Sequence, residues 1–286
     1  MAEETLLGTN SAVGTAQVRW MLQEKIMPLV LRAERDCACD SPDHLVPWGT
    51  RWDRSTNGRF NEKLWLLYPQ TQVVKVLDLG CSGGDFVKSC IDDGHFAVGI
   101  EGSTFSRDHK RSAWAIIPDY LFTCDITRSF QLFVQTGSEE QKVKFDVVTS
   151  WEVLEHIKEE DLPTLAANVH AHLCPGGLWI MSVANWEDVQ GGVRLHQTVK
   201  PRAWWRDRFK SLGFEPLEAH RSHFAGQWVR GGYGHYQRVD NERSFHFVLA
   251  NDAAMAPPIP RIPFGQKVFY RWMGSRPQRV LKKLVG

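Results

Sequence analysis

Apolar and polar positions change period several times along this chain. Short apolar runs at Val73 to Leu79, Phe96 to Glu101, Tyr120 to Ile126, Phe145 to Trp151 and Leu178 to Val183 each predict a buried strand. Between them lie helical stretches: Asp85 to Asp93, stopped by Gly94, and the amphipathic Glu159 to Leu173, closed by Pro175-Gly176-Gly177. Pro201 to Leu212 predicts a helix capped by Gly213, and Phe214 to Ala219 and Ser244 to Leu249 predict two last strands. Ahead of this block, Ala12 to Arg35 places Val18, Met21, Leu22, Ile26, Leu29 and Val30 at helical spacing. Asp36 to Gly58 is polar and irregular, and Phe60 to Tyr68 predicts a short helix. Such alternation of strand and helix implies an α/β fold, a parallel sheet with helices on both faces.

The first strand runs into a glycine-rich turn, Val76-Leu77-Asp78-Leu79-Gly80-Cys81-Ser82-Gly83-Gly84-Asp85-Phe86. Glycines there let the chain turn tightly and bring bare backbone to a ligand at the carboxyl end of a strand. The spacing does not fit G-x-G-x-x-G, the nicotinamide-binding pattern. It resembles the first motif of class I S-adenosylmethionine-dependent methyltransferases, D-x-G-x-G-x-G, with Ser82 where the middle glycine usually sits. Glu101, Asp125, the run Phe145-Asp146-Val147-Val148 and Pro175-Gly176-Gly177 follow in the family's order, so the resemblance covers Phe60 to Ala250.

The resemblance implies a Rossmann-like, seven-stranded, mostly parallel sheet with an antiparallel last strand, preceded by an N-terminal helical extension. It divides the chain into an extension or lid (1–59), a methyltransferase domain (60–250) and a basic tail (251–286). It also implies S-adenosyl-L-methionine as cofactor, held by Asp78, Gly80, Ser82, Gly84, Phe86, Glu101, Gly102, Asp125, Ile126 and Trp151. Glu101 would take the ribose hydroxyls and Asp125 the adenine amino group.

After the fourth strand comes Ser150-Trp151-Glu152-Val153-Leu154-Glu155-His156-Ile157. In a helical turn, Glu152, Glu155 and His156 would share one face at the carboxyl end of the sheet. Two carboxylates and an imidazole suit a hard or borderline divalent ion, and His196 offers a fourth ligand. This E-x-x-E-H pattern with a later histidine resembles the O-methyltransferases of ubiquinone biosynthesis and the small-RNA 2′-O-methyltransferases. That resemblance implies Mg2+ or another divalent ion on Glu152, Glu155, His156 and His196. Without a metal, His156 or His196 becomes the general base, with Glu152 beside them in the catalytic set. His95, His170, His172, His220 and His223 are expected to be structural.

Two regions are expected to cover the acceptor pocket: Asp43 to Trp52, and Trp204-Trp205 together with Gln227 to Tyr236, with Arg230 and Arg238 welcoming an anion. A net charge of +1 gives no global pull toward nucleic acid. No apolar run approaches the roughly 20 residues of a membrane helix. Met1-Ala2-Glu3-Glu4 lacks the basic start of a signal peptide, so the cytoplasm is the expected location. Cys37-Ala38-Cys39 with His44 is half of a zinc pattern without the second ligand pair, so reduced thiols are expected. The basic tail from Arg261 to Gly286 reads as a solvated helix or as a binder of phosphates or anionic lipids. The expected activity is methyl transfer to a hydroxyl of a small molecule, lipid or glycan. The alternatives are an RNA ribose 2′-O-methyltransferase and a catalytically silent binding module of the same fold.

Overall fold

The computed structural model describes residues 28–46, 55–230 and 244–261. The amino-terminal part holds strand β1 (Leu29–Ala33) and helices α1 (Pro42–Leu45) and α2 (Gly58–Trp65). Alternating elements follow: β2 (Lys75–Leu79), α3 (Asp85–Asp92), β3 (Phe96–Glu101), α4 (Phe105–Asp108) and β4 (Leu121–Thr123). A hairpin, β5 (Phe130–Thr136) and β6 (Glu139–Lys142), interrupts them before β7 (Phe145–Trp151), α5 (Leu162–His172) and β8 (Leu173–Ala184). The last elements are the small ribbon β9 (Val189–Gln190) and β10 (Val193–Arg194), then α6 (Arg202–Ser211), β11 (Glu215–Pro216), α7 (Glu218–Phe224) and β12 (Ser244–Ala250).

Seven strands form one sheet in the order β11-β12-β8-β7-β2-β3-β4. The pairs from β4 through β8 are parallel, whereas β12 runs antiparallel to β8 and to β11. From β2 the chain steps outward through β3 and β4, then returns to β7 on the other flank and steps outward to β8. The order therefore reverses between β2 and β7, where open α/β sheets bind ligands at their carboxyl ends.

Alternation along each strand feeds two cores. Leu77, Val98, Ile100, Val148, Trp179 and Met181 pack against Leu165 and Val169 of α5 and Trp205 and Phe209 of α6. Val76, Ala97, Val147, Ile180 and Val248 face Phe60 and Leu64 of α2, Phe86 and Val87 of α3, and Phe224 of α7. Helices on both faces follow from this two-sided burial.

Several expectations change. Leu29–Ala33 is a strand and not the end of a helix, because it pairs antiparallel with β5 in a three-stranded sheet β1-β5-β6. Five apolar-rich residues fit either period, and pairing with β5 decides between them. Residues 12–27 of the expected helix lie outside the described residues, as do Trp48, Trp52, Tyr233, Tyr236, Arg238 and all of the basic tail after Arg261. The third parallel strand stops at Thr123, three residues short. β11 keeps only Glu215–Pro216, and α7 begins where the strand was expected to continue. Pro175-Gly176-Gly177 does not precede the fifth parallel strand but lies inside it, as an irregularity between the pairs Phe145–Leu173 and Val147–Leu178. Gly176, at φ +72°, has no room for a side chain, because a Cβ would run into the Met255 carbonyl. Cys37 and Cys39 are joined by a disulfide in place of the expected free thiols; their turn holds the two Cα atoms 5.4 Å apart, within bridging range. Cys81, Cys90 and Cys124 are free and buried. No helix among the described residues is long and apolar enough to cross a membrane.

Phe60 of α2 ties one core to the site strand. Its ring meets Trp151 edge-on at 5.1 Å and lies 4.9 Å from Phe224. Phe60→Ala is expected to cost about 3–5 kcal/mol, read as a lowered midpoint in urea denaturation.

Candidate functional site

The turn after β2 is built from left-handed residues: Gly80 at φ +76°, Ser82 at +48° and Gly84 at +77°. This explains both the family's glycine at position 82 and how serine survives there. A side chain in that conformation is strained, but three bonds hold Ser82. Its N–H donates to Glu101 Oε2 at 2.7 Å, its hydroxyl accepts from Arg111 Nη2 at 2.6 Å, and its carbonyl accepts from Trp114 Nε1 at 2.8 Å. Gly84 caps α3 and takes part in packing: a Cβ there would sit 2.7 Å from Leu121. It is not among the residues that line the two cavities described below.

The remaining predicted cofactor residues surround two cavities that share Gly80, Ser82, Trp151 and Arg230. The larger, of about 220 Å³, is walled by Glu101, Gly102, Asp125 and Ile126. The smaller reaches down to Asp78 and Phe86. Glu101 ends β3 and its second oxygen accepts from the Ser103 N–H at 3.1 Å. Burial pushes its carboxyl above the usual range. Asp125 accepts from the N–H and hydroxyl of Thr127 at 2.9 and 2.6 Å, with Arg35 3.6 Å from its other oxygen. Asp78 is deeper; burial raises its carboxyl to about 7, although the Thr149 hydroxyl donates to it at 2.6 Å.

Beyond β7 the chain does not form the expected helix. Glu152 adopts φ +53°, and only Leu154–His156 makes a short 3-10 turn. Glu152 therefore leaves the face shared by Glu155 and His156, and its carboxylate pairs with Arg230 Nε at 2.8 Å. Its N–H is fixed by Ser182, to the carbonyl and the hydroxyl alike, both at 3.0 Å. His196 does arrive, because the N–H groups of Gln197 and Thr198 donate to the Glu155 carbonyl at 2.7 and 2.9 Å. Ligand atoms of Glu155, His156 and His196 lie within 4.8 Å of one another. Glu152, expected with them as a ligand, is absent from that cluster.

Electrostatics differ sharply among the three. Both carboxylate oxygens of Glu155 are buried without a hydrogen-bond partner, and burial raises its affinity for a proton. Burial opposes charge on His156, but Asp43, Glu155 and Glu152 outweigh it and lift the imidazole to about 9. Asp43 Oδ2 lies 2.9 Å from His156 Nδ1, an ion-pair approach without an aligned hydrogen bond. His196 is lowered by burial and by neighbouring His156. Its Nδ1 donates to the Trp186 carbonyl, which leaves a lone pair on Nε2.

Three residues here carried no sequence signal for their contacts: Asp43 beside His156, Arg230 beside Glu152 and Arg111 beside Ser82. Burial lowers Arg230 to about 10, still charged at neutral pH. Asp43 and His44 do line the larger cavity, as expected of the covering segment. Trp204 and Trp205 do not: Trp205 is a core residue stacked on Phe209, and Trp204 packs under Lys200. His95, His170, His172, His220 and His223 each bond to backbone, as structural residues do.

The family model for a methyltransferase domain matches residues 32–239. The chain belongs to the methyltransferase domain family. Two ubiquinone biosynthesis O-methyltransferases, from Pasteurella multocida and from Actinobacillus pleuropneumoniae serotype 7, are 32% identical over 117 and 115 residues. Each match covers 39% of this methyltransferase and 46% of the relative, so the chain spans about half the length of the curated relatives it matches. A TehB-like S-adenosylmethionine-dependent methyltransferase from Corynebacterium glutamicum is 17% identical, covering 73% of this chain and 98% of that one, with a TM-score of 0.47. A 1,6-didemethyltoxoflavin-N1-methyltransferase from Burkholderia thailandensis is 13% identical, covering 87% and 91%, with a TM-score of 0.44.

The acidic–histidine cluster makes the stability of this methyltransferase depend on pH. His156 is raised from 6.5 to about 9, so its contribution is full below pH 6.5 and is lost as pH rises through 9. Glu155, also raised, holds its proton longer in the folded chain and acts in the same direction. Melting temperature is therefore expected to fall as pH climbs from about 6.5 to 9. His156→Asn should flatten that slope; an unchanged slope would remove His156 as its source.

Proposed function

We propose that this methyltransferase moves the methyl group of S-adenosylmethionine to a hydroxyl of a small molecule, lipid or glycan. One observation carries the reading: the cavity walled by Glu101 and Asp125 also receives His156, with Glu155 and His196 clustered behind it. The O-methyltransferases among the relatives support an oxygen acceptor.

The residues present fit the cofactor. Left-handed Gly80 and Ser82 bring backbone to the cavity, Glu101 and Asp125 offer carboxylate acceptors at neighbouring strand ends, and the smaller cavity beside Asp78 and Phe86 extends past Trp151. The cofactor supplies an already activated methyl; the chain aligns donor and acceptor and handles the acceptor's proton. An alcohol becomes a competent nucleophile only as that proton leaves. His196 is the better base, since burial and neighbouring His156 keep its imidazole neutral at pH 7 and its Nδ1–H on the Trp186 carbonyl leaves the lone pair on Nε2. His156 stays positively charged beside Asp43 and stabilises negative charge growing on the acceptor oxygen. Arg230 holds Glu152 at the junction of the two cavities.

A divalent ion also fits part of this set. Glu155, with two unpartnered buried oxygens, His156 and His196 would hold it, and such an ion would lower the pKa of an acceptor hydroxyl. Glu152 would not join, because Arg230 engages it.

Calorimetry with S-adenosylhomocysteine tests the cofactor half. Wild type should bind, and Glu101→Ala should weaken binding by about tenfold or more, the loss of charge-assisted hydrogen bonds to two hydroxyls. No binding by wild type would sink the reading. For the acceptor half, His196→Ala should cut kcat by a factor of about 10²–10⁴ with the cofactor KM little changed. Activity confined to amine acceptors would exclude oxygen, and salt-sensitive binding to oligonucleotides would move the hydroxyl onto RNA.

A further inference from the structure

Cys37, Cys39 and His44 take no part in the proposed chemistry, yet they converge. One ligand atom from each lies within 4.8 Å of the others. His44 Nδ1 is buried and has no hydrogen-bond partner. An unsatisfied buried ring nitrogen is costly unless something comes to meet it. We propose that, when the disulfide is reduced, Cys37, Cys39 and His44 bind a zinc-class ion on the segment that walls the cofactor cavity.

The donor set selects the ion. Two thiolates and an imidazole favour borderline-soft ions such as Zn2+ over Mg2+, in a tetrahedral shell whose fourth position water can fill. This separates the site from the Glu155 cluster, which contains no sulfur. Access is open, since Cys39 is exposed and Cys37 half-buried. A thiol reductant of the glutathione class supplies the two electrons. The Cys37–Cys39 S–S bond breaks, each sulfur gains a proton, and two reductant thiols become one disulfide. The ion then displaces both thiol protons, while a ring nitrogen of His44 contributes a lone pair.

Location gives the site a consequence. Ala38, between the two cysteines, donates its N–H to the Gly102 carbonyl at 2.8 Å, one residue beyond Glu101. Ser41 donates to the Ala38 carbonyl at 2.8 Å, and Ala38 and His44 both line the larger cavity. An ion bridging the cysteines to His44 ties α1 to the strand end that holds Glu101. Ion binding and cofactor binding are then linked, each strengthening the other. Only this linkage rests on the methyltransferase reading; the ion site itself does not.

The test titrates reduced, full-length protein with Co2+ alone and then displaces it with Zn2+. A near-ultraviolet sulfur-to-cobalt charge-transfer band should saturate at one ion per chain. It should be missing from C37S/C39S and from oxidised wild type until thiol reductant is added. H44A should bind at least about tenfold more weakly. No band in reduced wild type, or a band that survives in C37S/C39S or in the oxidised protein, overturns the site. S-adenosylhomocysteine should bind reduced wild type several-fold more tightly with Zn2+ than without, and C37S/C39S should not respond. Equal affinities in wild type would overturn the linkage, whereas the cobalt band by itself decides the ion site.

Discussion

Thr149 and Asp78 form the last paired residues of the seam between β7 and β2, and the Thr149 hydroxyl bonds the Asp78 carboxyl there. Beyond that pair the two strands part. One continues into the left-handed turn at Gly80–Ser82, the other into Glu152 with its own left-handed backbone. The site depends on this parting, because both cavities are lined from both diverging chains, by Gly80 and Ser82 on one side and Trp151 on the other. The wedge between the two chains is held open by anchors on separate strands: Glu101 of β3 grips the Ser82 N–H, and Ser182 of β8 grips the Glu152 N–H. Each flank of the sheet thus fixes one lip.

The wedge is also where burial works hardest against charge. Asp78, Glu101 and Glu155 are all pushed toward their protonated forms by desolvation. Against them stand His156 and Arg230, each matched to a carboxylate from a different part of the chain. Asp43 comes from the amino-terminal segment and Arg230 from the segment after α7, so two sequence-distant coverings close on one β7 turn. That pairing of remote groups makes the site an assembly property and not one of the E-x-x-E-H run alone.

The parallel sheet was legible because each strand is a short, mostly apolar run, and the helices at Asp85–Asp92 and Leu162–His172 end near the glycines that were expected to stop them; β3 and β7 appear within the expected bounds. The cofactor turn was legible through its glycines. What stayed hidden depends on tertiary contacts. Leu29–Ala33 is too short for periodicity to decide, and its partner β5 lies a hundred residues away. Glu152 looked like a helical neighbour of His156 because spacing assumes a regular backbone, and a left-handed residue breaks that assumption. Asp43 and Arg230 meet their partners only through the fold. His196 does come near Glu155 and His156, and the two bonds to the Glu155 carbonyl show why it reaches the cluster.

The irregularity at Pro175-Gly176-Gly177 has a use beyond folding. It sits at the amino end of β8, and Gly176 leaves room there for the backbone at Met255. Met255 is itself well exposed, at the opposite end of the sheet from the cavities. A reporter dye or a surface tether attached at that position would therefore sit about one sheet length from the wedge. It would leave both lips untouched.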